Sequence, residues 1–328
     1  MRALVIGGGG FVGLAVIRAL NARGIDCAAV GRSRYPVLEK MGIRVVCGDI
    51  VDRDFLVRAV KGYDTVFHVA AKAGIWGPRS EYETVNVIGT GNVINACLAS
   101  RVKSLIYTST PSVVFNRADI SGNDESLPYG RSFLCHYADS KARAEQLVLS
   151  ANSASLATCA LRPHLIWGPG DPHLIPRLLA RGRRRQLRQV GDGNNLVDIS
   201  YIDNVADAHL LAAENLHAAA TAAGKAYFIS QGKPVNLWQW INDLFRRFEI
   251  PPVPGQIGFR TAYAAGWVLE WIYRAGRINA EPRMTRFLAE QLARSHWFSI
   301  ARAQNDLGYR PKVSTEDGVE RLVAHYKE

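Results

Sequence analysis

Residues 2–13 read Arg2-Ala3-Leu4-Val5-Ile6-Gly7-Gly8-Gly9-Gly10-Phe11-Val12-Gly13. A short apolar run ends in four glycines, and an apolar pattern of helical period (Phe11, Leu14, Ala15, Ile17, Leu20) begins at once. That is a strand, a tight turn and a helix N-terminus. Backbone N–H groups in such a turn can lie against a pyrophosphate only where no Cβ intervenes. The helix start adds free donors and a partial positive charge. Gly7-x-x-Gly10-x-x-Gly13 sits between strand and helix, the context a dinucleotide-binding turn requires.

Working outward, the alternation continues. Strands are expected at Asp26–Gly31, Arg44–Cys47, Asp64–Val69, Ser104–Thr108 and Ala157–Arg162, with Ala226–Ser230 returning to the same sheet. Helices are expected at Asp52–Val60, Glu81–Ser100 and Tyr137–Ala151. This order predicts an α/β fold with a doubly wound parallel sheet of Rossmann type. After Arg162 the close-set Pro163, Gly168, Pro169, Gly170, Pro172 and Pro176 predict a long ordered loop. Val197–Ile202 reads as a strand, and Asp203 as the N-cap of a helix over Asn204–Leu216. The remainder reads as helical, at Leu237–Phe248, Thr261–Ala275, Arg283–Ala293 and Thr315–Tyr326. The expected division is a dinucleotide-binding domain over 1–165 plus about 190–232. A smaller, mostly helical, discontinuous substrate region takes about 166–189 plus 233–328.

Composition bounds the function. The chain has 328 residues, 48% hydrophobic and 21% charged, ordinary for a soluble globular protein. Its most membrane-like segment, Thr261–Tyr273, is too short to span a hydrocarbon core of ~30 Å and carries Glu270. The five scattered cysteines read as reduced, mostly buried thiols of a cytoplasmic protein, and no metal-ligand cluster is evident. The net charge of +11 is partly concentrated in Arg177, Arg181, Arg183, Arg184, Arg185 and Arg188. A solvated face, a membrane or acidic-partner patch, and an anionic-substrate site all fit that run. Nucleic acid is disfavoured, because aromatic residues do not interleave with the arginines.

The second strand ends Val30-Gly31-Arg32-Ser33-Arg34, with no acid to bind a ribose 2′-hydroxyl. Gly31 leaves room, while Arg32 and Arg34 suit a 2′-phosphate, so NADP(H) is favoured over NAD(H). Tyr137-Ala138-Asp139-Ser140-Lys141 places a phenol and an ammonium four residues apart on one helix face. The ammonium, with an oxidised nicotinamide, would lower the phenol's pKa, and the same lysine can hold the nicotinamide ribose. Just past the fifth strand, Thr108, Ser109, Thr110 and Ser112 cluster their hydroxyls.

Taken together, these residues resemble the extended short-chain dehydrogenases/reductases, whose turn reads G-G-x-G-F-[VIL]-G. By that resemblance Thr110, Tyr137 and Lys141 are the catalytic set, with Ser109 and Ser112 as second choices for the hydroxyl role. Asp49 would accept from the adenine amino group. His68-Val69-Ala70-Ala71 would pass along the cofactor, and Asn86 would support the active site. The full cofactor lining implied is Gly7, Gly10, Phe11, Val12, Gly13, Arg32, Arg34, Asp49, Ile50, Ala70, Ala71, Lys72, Asn86, Thr108, Tyr137, Lys141, Pro163 and His164.

Ala160-Leu161-Arg162-Pro163-His164-Leu165-Ile166-Trp167-Gly168-Pro169-Gly170 and Tyr201-Ile202-Asp203-Asn204-Val205-Ala206-Asp207 narrow the resemblance to the 3β-hydroxysteroid dehydrogenase branch. Within it, Lys72–Gly77, Pro111–Phe115 and Ser295–Phe298 resemble the bacterial 2-alkyl-3-oxoalkanoate reductases of olefin synthesis. The sterol-4α-carboxylate 3-dehydrogenases resemble the chain as well. Ile6 stands where the family usually has threonine, and Ser299 where aspartate is common. The resemblance implies an oxidoreductase interconverting a 3-keto and a 3-hydroxy group on a large apolar substrate, as a homodimer. Peripheral contact with a membrane or a partner enzyme is compatible with that substrate. Trp76, Trp167, Tyr263, Trp267 and Trp271 are candidates for pocket walls. Sugar-nucleotide epimerases and dehydratases share the glycines and the Tyr/Lys pair and are the enzymatic alternative, and a cofactor-binding regulatory protein is the non-enzymatic one.

Overall fold

The computed structural model describes residues 1–327. Seven strands form the central sheet: β1 (Ala3–Ile6), β2 (Cys27–Gly31), β3 (Arg44–Cys47), β4 (Thr65–His68), β5 (Ser104–Thr108), β6 (Ala157–Pro163) and β7 (Lys225–Ile229). Their spatial order is β7-β6-β5-β4-β1-β2-β3, and every pairing is parallel. Val5 lies between Ala29 on one side and Phe67 on the other. The strands are near-continuous apolar runs because both faces of a parallel sheet are covered. One face packs on the helices Phe11–Ala22 and Ile202–His217, the other on Arg53–Val60, Gly89–Ala99 and His136–Ser150. The strand order reverses between β1 and β4, which opens a crevice at their carboxyl ends. The doubly wound sheet expected from the sequence is therefore present.

A separate apolar cluster lies beyond those carboxyl ends. Trp167, Ile175, Leu179, Trp240, Ile241, Phe245 and Leu322 form its centre.

Several local expectations are corrected. The stretch after Arg162 is not all loop, since Leu174–Arg183 is a helix carrying the first arginines of the basic run. Asp171 opens it by accepting from the N–H groups of His173, Leu174 and Ile175 at 2.8, 3.2 and 2.8 Å. The expected strand Val197–Ile202 is two strands in different sheets, Leu196–Val197 and Ser200–Tyr201. Asp203 is not an N-cap. Its helix already starts at Ile202, and the Asp203 carboxylate lies in the first turn, 3.3 Å from Arg321. The expected helix Glu81–Ser100 is interrupted: Arg79–Tyr82 leads into a wider π-helical turn, Glu83–Ile88, before Gly89–Ala99. Such turns often mark functional positions, and this one holds Asn86.

Candidate active site

The glycine turn lies at the crevice, with Gly7 at φ +90°. A Cβ on Gly7 would come within 2.6 Å of the Ala70 nitrogen, so the turn rests directly on the end of β4. A Cβ on Gly13 would collide with the Gly7 carbonyl, which locks the helix start to the turn. Gly10 is the N-cap, and no side chain caps the helix. The first-turn N–H groups of Phe11, Val12 and Gly13 thus have no intrahelical acceptor. This uncapped, glycine-walled helix start fits the pyrophosphate of a dinucleotide.

Arg32 and Arg34 are exposed beyond β2, and Asp49 is exposed beyond β3. One Asp49 oxygen accepts from the Val51 N–H at 3.1 Å, and Ile50 is buried against Gly89. The sequence reading missed Tyr35. Its ring occupies the space beside Gly9 and Gly31, where a Cβ would come within 2.2 and 2.5 Å of it. No local pattern marks Tyr35. The signal is the glycine at both positions it covers.

Asn86 ties three pieces together. Its Oδ1 accepts from the Lys72 N–H at 2.7 Å, and its Nδ2 donates to the Lys72 carbonyl at 3.1 Å and to Ser140 Oγ at 2.9 Å. Ser140 lies between Tyr137 and Lys141, on the helix His136–Ser150, and donates to the Tyr137 carbonyl at 2.9 Å. The loop after β4 and the helix bearing the phenol are therefore held in register by one amide. Ala70 is fixed by its N–H to the Ile6 carbonyl at 2.9 Å, and the Lys72 ammonium pairs with Glu81 at 2.5 Å.

Lys141 is buried. It donates to the Thr108 carbonyl at 2.5 Å and lies 4.0 Å from the Tyr107 ring centroid. Burial pulls its pKa down to about 7, against the attraction of Glu145 one turn further along the helix. Glu145 is itself buried in an ion pair with Arg162 at 2.5 Å and accepts from the Tyr129 hydroxyl at 2.7 Å. Glu145 was also missed, although its i+4 spacing from Lys141 was readable. Burial lifts Tyr137 to about 12, with the nearby Thr110 hydroxyl working against it.

Thr110 caps the short 3₁₀ turn Pro111–Val114, accepting from the Ser112 N–H at 3.3 Å and donating to Ser112 Oγ at 3.2 Å. The Ser109 hydroxyl is buried without a partner. Thr108 turns its hydroxyl to His209 at 2.7 Å. His209 Nδ1 faces the Val205 carbonyl at 2.7 Å, so its Nε2 accepts from Thr108. His164 keeps its polar groups inside the protein. Its N–H and carbonyl both meet Ser200 Oγ, at 3.2 and 2.7 Å, and its ring stacks on His296 with Nε2 2.7 Å from Nδ1.

A cavity of about 590 Å³ adjoins the start of the phenol's helix, lined by Trp76, Cys135, His136, Tyr273, Arg274 and Thr285 among others. Of the five aromatic wall candidates only Trp76 lines it, edge-on to Tyr273. Trp167 is core, packed on Tyr201 and Trp240, and Tyr263 accepts from Arg117 at 3.0 Å. Trp267 and Trp271 face outward.

The Thr110 hydroxyl lies close to the buried Tyr137 phenol. Comparison with known proteins identifies the family. The model of the 3-beta hydroxysteroid dehydrogenase/isomerase family matches residues 4–255. The chain is 51% identical over 327 residues to a 2-alkyl-3-oxoalkanoate reductase of Stenotrophomonas maltophilia (strain K279a), covering 99% of each chain. It is 33% identical over 331 residues to the human sterol-4-alpha-carboxylate 3-dehydrogenase, decarboxylating, covering 99% of this chain and 88% of that one. Among solved structures, the crystal structure of gox2253 superposes with a TM-score of 0.81 at 29% identity, covering 99% of this chain and 98% of that chain. With the family model spanning most of its length and a relative aligned end to end, this chain belongs to the 3-beta hydroxysteroid dehydrogenase/isomerase family and is a nicotinamide-dependent oxidoreductase.

Proposed function

We propose that the protein reduces the 3-keto group of a 2-alkyl-3-oxoalkanoate with NADPH. The observation that carries this is the near-complete alignment at 51% identity with a reductase of that name. The cofactor, when bound, supplies the hydride that reaches the keto carbon. The keto oxygen then gains negative charge. Tyr137 gives it a proton and Thr110 a hydrogen bond, leaving an alcohol. Lys141 leaves Thr108 to hold the nicotinamide ribose, and its charge then favours the phenolate that proton transfer creates. Arg32 and Arg34 favour the 2′-phosphate, while Asp49, Ile50, Ala70, Ala71, Pro163 and His164 line the remainder.

The regions about 166–189 and 233–328 act as the substrate part, over a dinucleotide-binding part formed by 1–165 and about 190–232. The apolar substrate accords with peripheral contact at a membrane or with a partner enzyme, and the family resemblance with a homodimer.

A substrate panel tests the reading. NADPH consumption with a 2-alkyl-3-oxoalkanoate should exceed that with a 3-ketosteroid or a sugar nucleotide, and exceed that with NADH. Turnover of the steroid alone would move the assignment to the sterol branch, toward which the 33% identity points.

A further inference from the structure

The helix Phe259–Ala275 is fixed along one side only. Gly266 lies so close to the next helix that a Cβ would come within 2.6 Å of the Thr285 backbone. One turn on, the buried Glu270 carboxylate accepts from the Arg286 N–H at 2.7 Å and from its guanidinium at 2.8 and 3.0 Å. The other side is bare and almost wholly apolar. Trp271 is 65% exposed, Trp267 56%, Val268 44% and Ile272 43%, flanked by exposed Ala264 and Ala265. Two tryptophans held open to water on a rigid helix are costly unless something covers them.

The segment that follows this helix leads into positive charge. Arg283, with Arg177, Arg181, Arg184, Arg185 and Arg188, surrounds a cleft of about 650 Å³. Among the described residues one carboxylate reaches this group, Glu281, 3.2 Å from Arg177. That ion pair ties the helix Leu174–Arg183 to the segment just past the tryptophans. The cavity lined by Trp76 and Tyr273 opens beside the same segment, with Arg277 and Ile278 on its rim.

We infer that this face docks on an anionic lipid surface, with Trp267, Val268, Trp271 and Ile272 inserted at the headgroup level and the arginine cleft engaging lipid phosphates. The inference rests on the reading of an apolar substrate, since docking would bring the mouth of that cavity to the layer where such a substrate dissolves. Charge decides the occupant. A second copy of the chain also carries +11, whereas lipid phosphate complements the arginine cleft. Aromatic side chains beside arginines are the composition of helices that lie in a membrane interface.

The experiment is co-sedimentation of the full chain with phosphatidylcholine vesicles prepared with and without phosphatidylglycerol, at low and high salt. Binding is expected to the anionic vesicles at low salt and to weaken as salt rises. Trp267→Ser/Trp271→Ser should abolish it. Each of Arg181→Gln, Arg184→Gln and Arg188→Gln should weaken it about five-fold. All these variants should keep the wild-type rate on a short, water-soluble 3-oxoalkanoate. Absence of sedimentation at low salt would overturn the inference, as would binding that the tryptophan variant leaves unchanged. Self-association lost in Trp267→Ser/Trp271→Ser without vesicle binding would overturn it in favour of a second copy. Inorganic pyrophosphate that protects the cleft arginines from a guanidinium reagent, with no vesicle binding, would overturn it in favour of a soluble phosphate ligand. Vesicle binding by a chain that reduces no ketone would leave this surface standing and remove the proposed reaction instead.

Discussion

The Lys141 ammonium donates to the carbonyl of Thr108 at 2.5 Å, which parks the chain's central charge on the end of β5. Burial holds its pKa near 7, against 10.5 for the free side chain. The native state therefore binds fewer protons than the unfolded state between those values, and stability rises with pH across that window. Below pH 7 the buried charge costs its full amount. Lys141→Met should be more stable than wild type at pH 6, on the order of a few kcal/mol. The difference should shrink steadily toward pH 10.5. Urea denaturation of the ligand-free proteins at several pH values checks this, and a gain that does not change with pH would contradict it.

Asp198 has the opposite sign. Burial raises its carboxyl to about 7, although the Phe298 N–H donates to it at 2.8 Å. Here the native state binds more protons than the unfolded state between pH 3.8 and 7, so stability falls across that window as the pH rises. Asp198→Asn keeps an acceptor for Phe298 and removes the titration. Its thermal midpoint should approach or pass that of wild type above pH 7 and lose the decline between pH 4 and 7.

Chemistry at the phenol is tested by Tyr137→Phe. Loss of the proton donor should lower kcat by roughly 10²–10⁴ while leaving the Kd for NADPH nearly unchanged. Thr110→Ala should also reduce kcat, with Thr110→Ser tolerated. If Ser112→Ala were the damaging change and Thr110→Ala neutral, the carbonyl-orienting role would pass to Ser112, the hydroxyl Thr110 donates to.

Cofactor choice is tested by binding rather than rate. Removing Arg32 or Arg34 should raise the Kd for NADPH about ten-fold each, the scale of a lost charge-assisted hydrogen bond, and barely alter that for NADH. Cofactor fluorescence titration reads both. Equal losses for the two cofactors would mean the arginines do not face the 2′-phosphate.

The sheet was legible because its strands are apolar runs closed by glycine or by polar residues, as at Val30-Gly31-Arg32. The helix Leu174–Arg183 was hidden by Pro176, yet proline in a first turn removes a donor the helix does not use. Leu196–Val197 and Ser200–Tyr201 are too short to carry a period, and their partners Asn236, His296 and Trp167 lie far along the chain. At the site, the residue types of Thr110, Tyr137 and Lys141 could be read, but not their protonation. The shifts of Tyr137 and Lys141 come from burial, which three-dimensional packing creates. Tyr35 was illegible for the same reason, since it touches Gly9 across the turn.

That contact between Tyr35 and Gly9 constrains how the sequence can drift. A side chain at 9 and a ring at 35 compete for one volume, so neither position is free alone. Any descendant that acquires serine or alanine at 9 must shrink or rotate residue 35 at nearly the same time, and Gly31 is bound into the same exchange. The three positions are therefore coupled, since a side chain added at 9 or at 31 meets the ring at 35.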